Sequence, residues 1–376
     1  MATIVFLCCM CYRNSTPNPQ IANCCMFLIY FCCYGLFIST NMFILYFYFE
    51  ISLIPIFMLI LKWGSYPDRS KRAIIILCYT LTFSIPVLIV MLWLYLNIGT
   101  SMFSSIVLTF KSGSICLLWS LFIFLCFAVK LPMYGLHLWL PIAHVEAPVF
   151  GSVILAAILL KLGGIGLYRL ACVLNLITLS LYIFSYSLVF LVVRTLLCCY
   201  QSDFKRLIAY SSVSHIIPLI ILLLSNNIFS SQSFTLIIIV HGFTSSLIFI
   251  LVFILYEIIS TRMLTVIRRL LAVRPLISLF ITLSLFFSLS APPFPSFVRE
   301  VYFIISSLSL SFHSLVFYFA FLFFSLLYNL NWYTNVTFYR PNMNYNLIVL
   351  KSYCIILPVF IVVLNRFLFF LVFFKI

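Results

Sequence analysis

Six ionisable side chains stand in stretches that are otherwise apolar: Glu50, Lys130, Lys161, His215, His241 and, close to the end of its stretch, Glu300. Glu50, in 46-YFYFEISLIP-55, is the one charge between Arg13 and Lys62. Lys130 closes the run from Ile115 to Val129, which only Ser120 interrupts, and Leu131-Pro132 follows it at once. Lys161 lies in 156-AAILLKLGGIG-166, thirteen residues past Pro148 and eight before Arg169. A charged side chain at the centre of a hydrocarbon layer costs about 3 kcal/mol or more. Such groups therefore pair, face a hydrated interior, and mark ion or proton paths.

The pairing logic is electrostatic. Burial weakens an ammonium group's hold on its proton, and a nearby carboxylate restores it. A lysine whose acidic partner can be strengthened or weakened is thus a proton-binding switch. Glu50 is the span carboxylate early in the chain, so a Glu50–Lys130 pair is expected. The plainer alternatives are a Glu50 that reaches water from a helix end and a Lys130 that snorkels to the interface. The next polar loop after Lys130 is ten residues away, which disfavours snorkelling. A lone membrane histidine is often a satisfied interior polar group. Here two occur in successive apolar stretches with Ser or Thr nearby, in 211-SSVSHIIP-218 and 240-VHGFTSS-246. Neutral imidazole donates at one nitrogen and accepts at the other, which suits a proton relay. Neither histidine has Cys or carboxylate at ligand spacing, so no metal site is expected.

Proline supplies a second signal. Leu131-Pro132 follows Lys130, and Glu300 follows 291-APPFPSFVR-299, 170 residues after Lys130. Paired helix interruptions in corresponding halves of a chain mark transporter repeats. The carbonyls that proline frees are tolerated at depth only against protein or water. Each break therefore predicts a hydrated cavity beside a titratable group; two ordinary proline kinks are the alternative.

The elements that must hold these groups follow from composition. The chain has 376 residues, 65% hydrophobic and 7% charged, where soluble proteins carry about 25% charged residues. Apolar segments of spanning length recur from end to end. They are continuous rather than alternating, which excludes a β-barrel. Eleven spans are read, at roughly 21–39, 42–62, 73–96, 114–140, 148–169, 173–195, 205–224, 232–258, 276–298, 301–329 and 349–374. The fold class is an all-α polytopic membrane protein. Residues 1–12 are apolar but too short to span.

Loop charges separate into alternate sets. One carries Arg13, then Lys62, Arg69, Lys71 and Arg72, then Lys205 and Arg206, then Arg262, Arg268, Arg269 and Arg274, then Arg340 and Lys351. The other carries Lys111, Arg169, Arg299 and Lys375. The positive-inside rule then puts the N-terminus in cytoplasm or matrix and the C-terminus opposite. It also accounts for the net charge of +15 without a nucleic-acid partner.

The 14 cysteines fall mostly within spans, where they act as small hydrophobes. Cys8 and Cys11 have C-x-x-C spacing, but no second pair follows at zinc or iron–sulfur spacing. The start, MATIVFLCCMCYRN, lacks the basic n-region of a signal peptide. There is no G-x-G-x-x-G, P-loop or bis-histidine haem pattern, so the chain is expected to bind no cofactor and perform no redox chemistry.

Four stretches carry a resemblance: 130-KLPMYGLHLWLPIAHVEAPVFGSVILAAILLKLGGIGLYRL-170, 50-EISLIPIFMLILKWG-64, 201-QSDFKRLIAYSSVSH-215 and 241-HGFTSSL-247. They resemble the antiporter-like membrane subunits of mitochondrial NADH:ubiquinone oxidoreductase (respiratory complex I), the subunit 4 family, over about residues 43 to 300. The resemblance implies fourteen transmembrane helices in two inverted five-helix repeats with flanking helices. On this chain it implies a short N-terminal segment (1–20), a first repeat (21–170), a second (171–330), and a matrix-side loop with a C-terminal helix (331–376). It matches Glu50 to the glutamate of the family's fifth helix, Lys130 to the lysine of the broken seventh, and Lys161 to the central lysine of the eighth. His215 and His241 match the histidines of the central hydrophilic axis, and Glu300 the glutamate of the broken twelfth helix.

The implied function is proton translocation driven by quinone reduction elsewhere in the complex. NADH, FMN, iron–sulfur clusters and ubiquinone would be held by other subunits. Neighbouring antiporter-like subunits, other membrane subunits and phospholipids would be its partners, in the mitochondrial inner membrane with the N-terminus in the matrix and the C-terminus in the intermembrane space. The chain departs from the pattern in three places. About one helix precedes Glu50 where the family has four, so the first three look missing. Lys62 precedes Trp63-Gly64 in a loop position. Arg299 replaces a commonly small residue beside Glu300. A free-standing cation/proton antiporter, or a structural subunit that has lost pumping, are the rival readings.

Overall fold

The computed structural model describes residues 19–64, 67–110, 117–133, 135–170, 180–225, 227–259, 261–264, 275–292 and 294–337. Within these the chain is helical, because a backbone in lipid must satisfy its polar groups internally. In order, the helices are α1 (Pro19–Ile38), α2 (Met42–Ile51), α3 (Leu53–Trp63), α4 (Arg69–Ile98), α5 (Phe103–Phe110), α6 (Leu117–Lys130), α7 (Trp139–Glu146) and α8 (Val149–Leu170). They continue with α9 (Ser180–Cys199), α10 (Phe204–Ile216), α11 (Pro218–Leu224), α12 (Ile228–Ile259), α13 (Pro275–Ser288), α14 (Pro295–Leu308) and α15 (His313–Thr337).

Among the described residues, eight helical segments are long and apolar enough to cross a membrane, with shorter apolar helices at Trp119–Lys130 and Ile277–Ser288. The all-α polytopic class is therefore as expected; the count of eleven spans is not established. The span read over 349–374, the segment 1–12 with Cys8 and Cys11, and the loop charges Arg13, Lys111, Arg268, Arg269, Arg274, Arg340, Lys351 and Lys375 lie outside the described residues.

The chain divides into two compact units, residues 1–185 and 186–376. In the first, α4 packs on both α6 and α7, α8 packs on α6, and α1 packs on α2 and α3. In the second, α12 packs on both α13 and α14, α10 packs on α12, and α15 packs on α13 and α14. The element order of the first unit recurs in the second. A helix leads each series, α1 and α9. A backbone bridge then joins the start of the next helix to the end of the one after, Asn41 to Met102 in one series and Asp203 to Met263 in the other.

Proline sets the interruptions. Pro55 and Pro218 have no N–H to give, and the chain turns at Ser52 between α2 and α3 and at Ile217 between α10 and α11. Larger breaks part α6 from α7 and α13 from α14. Each holds one residue in the left-handed region, Gly135 (φ 80°) and Ser290 (φ 56°).

Two span readings need correction. The stretch 276–298 is not one helix: α13 ends at Ser288 and α14 begins at Pro295. The stretch 301–329 is also divided, because α14 ends at Leu308 and α15 starts at His313. Pro292, Pro293 and Pro295 mark the first joint in the sequence, whereas the serine-rich stretch 306–314 was read through as part of a span.

Candidate functional site

The first unit brings Lys130 to α2. Its ammonium donates to the Phe49 carbonyl at 2.6 Å and lies 3.2 Å from the centre of the Phe49 ring. That carbonyl also accepts from the Ser52 hydroxyl at 2.7 Å. Lys130 is 3% exposed. Glu50 is the next residue along α2, and both its carboxylate oxygens are buried without a hydrogen-bond partner. The expected Glu50–Lys130 pair is therefore a juxtaposition and not a direct ion pair. The lysine binds the backbone at the place where α2 gives way to α3.

The break after Lys130 is closed by protein. The Trp139 indole donates to the Val129 carbonyl at 2.9 Å and the Tyr79 hydroxyl to the Gly135 carbonyl at 2.7 Å. His137 Nδ1 lies 3.1 Å from the Met133 carbonyl. Glycine lets α8 approach this region. A Cβ at Gly163 would stand 3.0 Å from both Lys130 Cβ and the Phe127 carbonyl. Lys161 follows on α8, just after the π-helical turn Leu155–Leu159, and donates to the Ala156 carbonyl within that turn. A π turn leaves its carbonyls loosely engaged and is frequent at functional sites. The α8 span is 89% buried, against 33% for α4, so Lys161 occupies the most enclosed of the long spans of its unit.

Two further charges of this unit were read as loop residues. Arg169 instead caps the end of α1: its guanidinium donates to the carbonyls of Leu36 (3.0 Å), Phe37 and Ser39 (2.8 Å). Arg72 forms an ion pair with Glu146, which is fully buried at the end of α7.

In the second unit His215 stands at the end of α10, before Pro218. The Tyr328 hydroxyl is 3.3 Å from His215 Nε2, and the rings of His215 and His241 are 6.2 Å apart between centres. A cavity of about 20 Å³ opens beside them, lined by both histidines, Thr244, Ser288, Arg299 and Tyr328. That volume admits a water molecule, and the lining offers it several polar partners. Glu300, on α14, pairs with Arg299 at 3.0 Å, and its carboxylate accepts from the Ser290 hydroxyl. Arg299, read as a loop residue, is 7% exposed.

Sequence reasoning missed the buried Glu146, His137, His144 and Arg194, and read Lys205, which is also buried, as a loop charge. Arg194 lies over the rings of Phe190 (5.1 Å) and Tyr210 (5.2 Å). His144 and Glu146 fall in the short stretch read as a polar loop ten residues past Lys130, which the structure instead buries in α7. Among the described residues no three His, Cys, Asp or Glu side chains converge as a metal site requires.

Comparison with known proteins supplies a frame. Residues 39–327 match the family model described as NADH:quinone oxidoreductase/Mrp antiporter, transmembrane. The NADH-ubiquinone oxidoreductase chain 4 of Lumbricus terrestris is 36% identical over 330 residues, 86% of this chain and 72% of the relative. That of Ceratitis capitata is 39% identical over 320 residues, 84% and 70% of the two chains. A chain of respiratory complex I from Thermus thermophilus shares the fold with a TM-score of 0.84 at 20% identity, over 95% of this chain and 77% of that one.

Proposed function

Because the chain belongs to the NADH:quinone oxidoreductase/Mrp antiporter transmembrane family, we propose that it is a proton-translocating, non-redox subunit of the membrane arm of respiratory complex I. The single observation that carries this reading is the Lys130 ammonium, buried beside a helix break and held by the carbonyl that precedes Glu50. A charge kept at such depth, against a neutral acceptor with a buried carboxylate one residue away, marks a functional site in a membrane span. It suits a group that gains and loses a proton as its neighbour's charge changes.

In this reading Glu50, Lys130 and Lys161 serve the first unit, which corresponds to one antiporter-like repeat. His215 and His241 serve the second, with Glu300 at its outlet. The histidine pair and the water-sized cavity beside it form a relay: imidazole can pass a proton through a bridging water by accepting at one nitrogen and donating at the other. NADH, FMN, iron–sulfur clusters and ubiquinone would be bound by other subunits, and neighbouring antiporter-like subunits and phospholipid would flank this chain in the mitochondrial inner membrane.

The test replaces Lys130 or Glu50 by alanine in the assembled complex and measures protons moved per NADH oxidised. The ratio is expected to fall in both variants. An unchanged ratio would remove the pumping role and leave a structural one.

A further inference from the structure

The second unit contains two cavities whose linings share His215 and Arg299. One, about 20 Å³, is the cavity of the histidine pair. The other, about 10 Å³, is bordered by Glu300 and Tyr318. The first has room for a water and the second sits at the lower limit for one. Arg299 therefore stands in the wall common to two small cavities, neither large enough to hold a continuous water column.

Its position is fixed from several sides. Nη2 donates to Glu300 Oε1 at 3.0 Å and to Ser290 Oγ at 3.1 Å, and the Ser290 hydroxyl itself binds Glu300 Oε1. Ser290 holds its left-handed conformation at the helix break, which aims its side chain at the pair. Both members are buried, 7% and 9% exposed. Unlike lysine, arginine does not give up its proton in proteins, so it cannot relay one. A permanent cation at a narrow polar passage instead raises the energy of any second positive charge that tries to pass, as arginine does in pores that exclude protons.

We propose that Arg299 is an electrostatic barrier against passive proton leakage between the two cavities, with Glu300 as its counter-ion; this rests on the reading of the second unit as part of a proton path. The pair then has two separable jobs. Arg299 keeps the passage closed to unassisted protons. Glu300 offsets enough of that charge for a driven proton to reach the outlet.

The experiment reconstitutes the assembled complex in liposomes. Passive proton leak is measured without NADH after a pH step, and protons per NADH during turnover. Arg299→Gln leaves Glu300 uncompensated and is expected to raise the leak about tenfold, the rate change for about 1.4 kcal/mol of barrier. Arg299→Lys keeps the charge and should hold the leak near wild type. Glu300→Gln leaves the cation uncompensated, so the leak should not rise while protons per NADH fall. Both glutamine variants break the same ion pair, and each alters one of the two Ser290 contacts. Simple loosening of the fold would raise the leak in both, and that result would overturn the barrier, as would an unchanged leak in Arg299→Gln. Lys130→Ala, run alongside, separates the two ideas. Normal pumping there with a leaky Arg299→Gln defeats the pumping reading alone. Impaired pumping there with a tight Arg299→Gln defeats the barrier alone.

Discussion

Both span lysines bind backbone carbonyls and not carboxylates. Lys130 takes the Phe49 carbonyl at the turn between α2 and α3, and Lys161 takes the Ala156 carbonyl in a π turn. Charge in an apolar run made both residues conspicuous in the sequence, but the acceptors could not be read there. A carbonyl becomes available through local irregularity of the helix, which composition does not encode. The buried carboxylate of this region with a cationic partner is Glu146, paired with Arg72. Breaking a buried ion pair from one side typically costs 3–5 kcal/mol, because the other charge is left unmatched. The Arg72 side chain is 31% exposed and that of Glu146 is not exposed at all. Water can therefore replace part of the cation's effect, and about 2–3 kcal/mol is expected for Arg72→Met. The loss should appear as earlier dissociation of this subunit when the detergent-solubilised complex is heated. The double variant Arg72→Met, Glu146→Gln should recover most of it. A double variant as unstable as the single would mean that the pair matters through packing and not through charge.

At the scale of elements, the titratable groups sit where helices fail. Glu50 and His215 precede the turns at Ser52 and Ile217, Lys130 ends α6, and Lys161 follows the π turn of α8. The prolines made the larger breaks legible. The joint at 309–312 was not read although Ser306, Ser307, Ser309, Ser311 and Ser314 interrupt the apolar run there, and the turn at Ser52 was not read from Pro55 three residues on. Breaks need close packing to be held at a fixed distance from their neighbours, and Gly163 supplies it by letting α8 lie against the end of α6. A side chain there meets the Phe127 carbonyl, which is backbone and cannot rotate away. Gly163→Val is thus expected to push α6 and α8 apart and draw Lys130 off the Phe49 carbonyl, with overpacking costs of about 1–3 kcal/mol. Protons per NADH should fall although every titratable residue is retained. Full stoichiometry in an assembled Gly163→Val complex would show that the Lys130 contact is not needed for pumping.

For the whole molecule, the recurring order of elements carries a topological consequence. Asn41 and Met102 are bridged, so α2 with α3 and then α4 must leave one membrane face and return to it. Asp203 and Met263 are bridged in the same way around the next series. Along the chain from Asn41 to Asp203 lie α2 with α3, α4, the broken pair α6 and α7, α8, and α9. The spans read from the sequence between these two turns, 42–62, 73–96, 114–140, 148–169 and 173–195, are odd in number, which predicts opposite faces for the turns at Asn41 and Asp203. The loop charges agree. The segment before Arg69 and the segment with Lys205, Arg206 and Arg262 belong to the positive set, and the turns at Asn41 and Met102 carry no charge. Single cysteines at exposed Thr100 and Ser202 test the point directly. In sealed vesicles of one orientation, a membrane-impermeant maleimide is expected to modify Ser202→Cys from the positive face and Thr100→Cys only after the vesicles are opened or inverted. Labelling of both from the same face would add or remove a crossing between α2 and α9. The broken pair α6 and α7 would be the first place to look, since it counts as one crossing only if the chain continues forward through the break at Lys130.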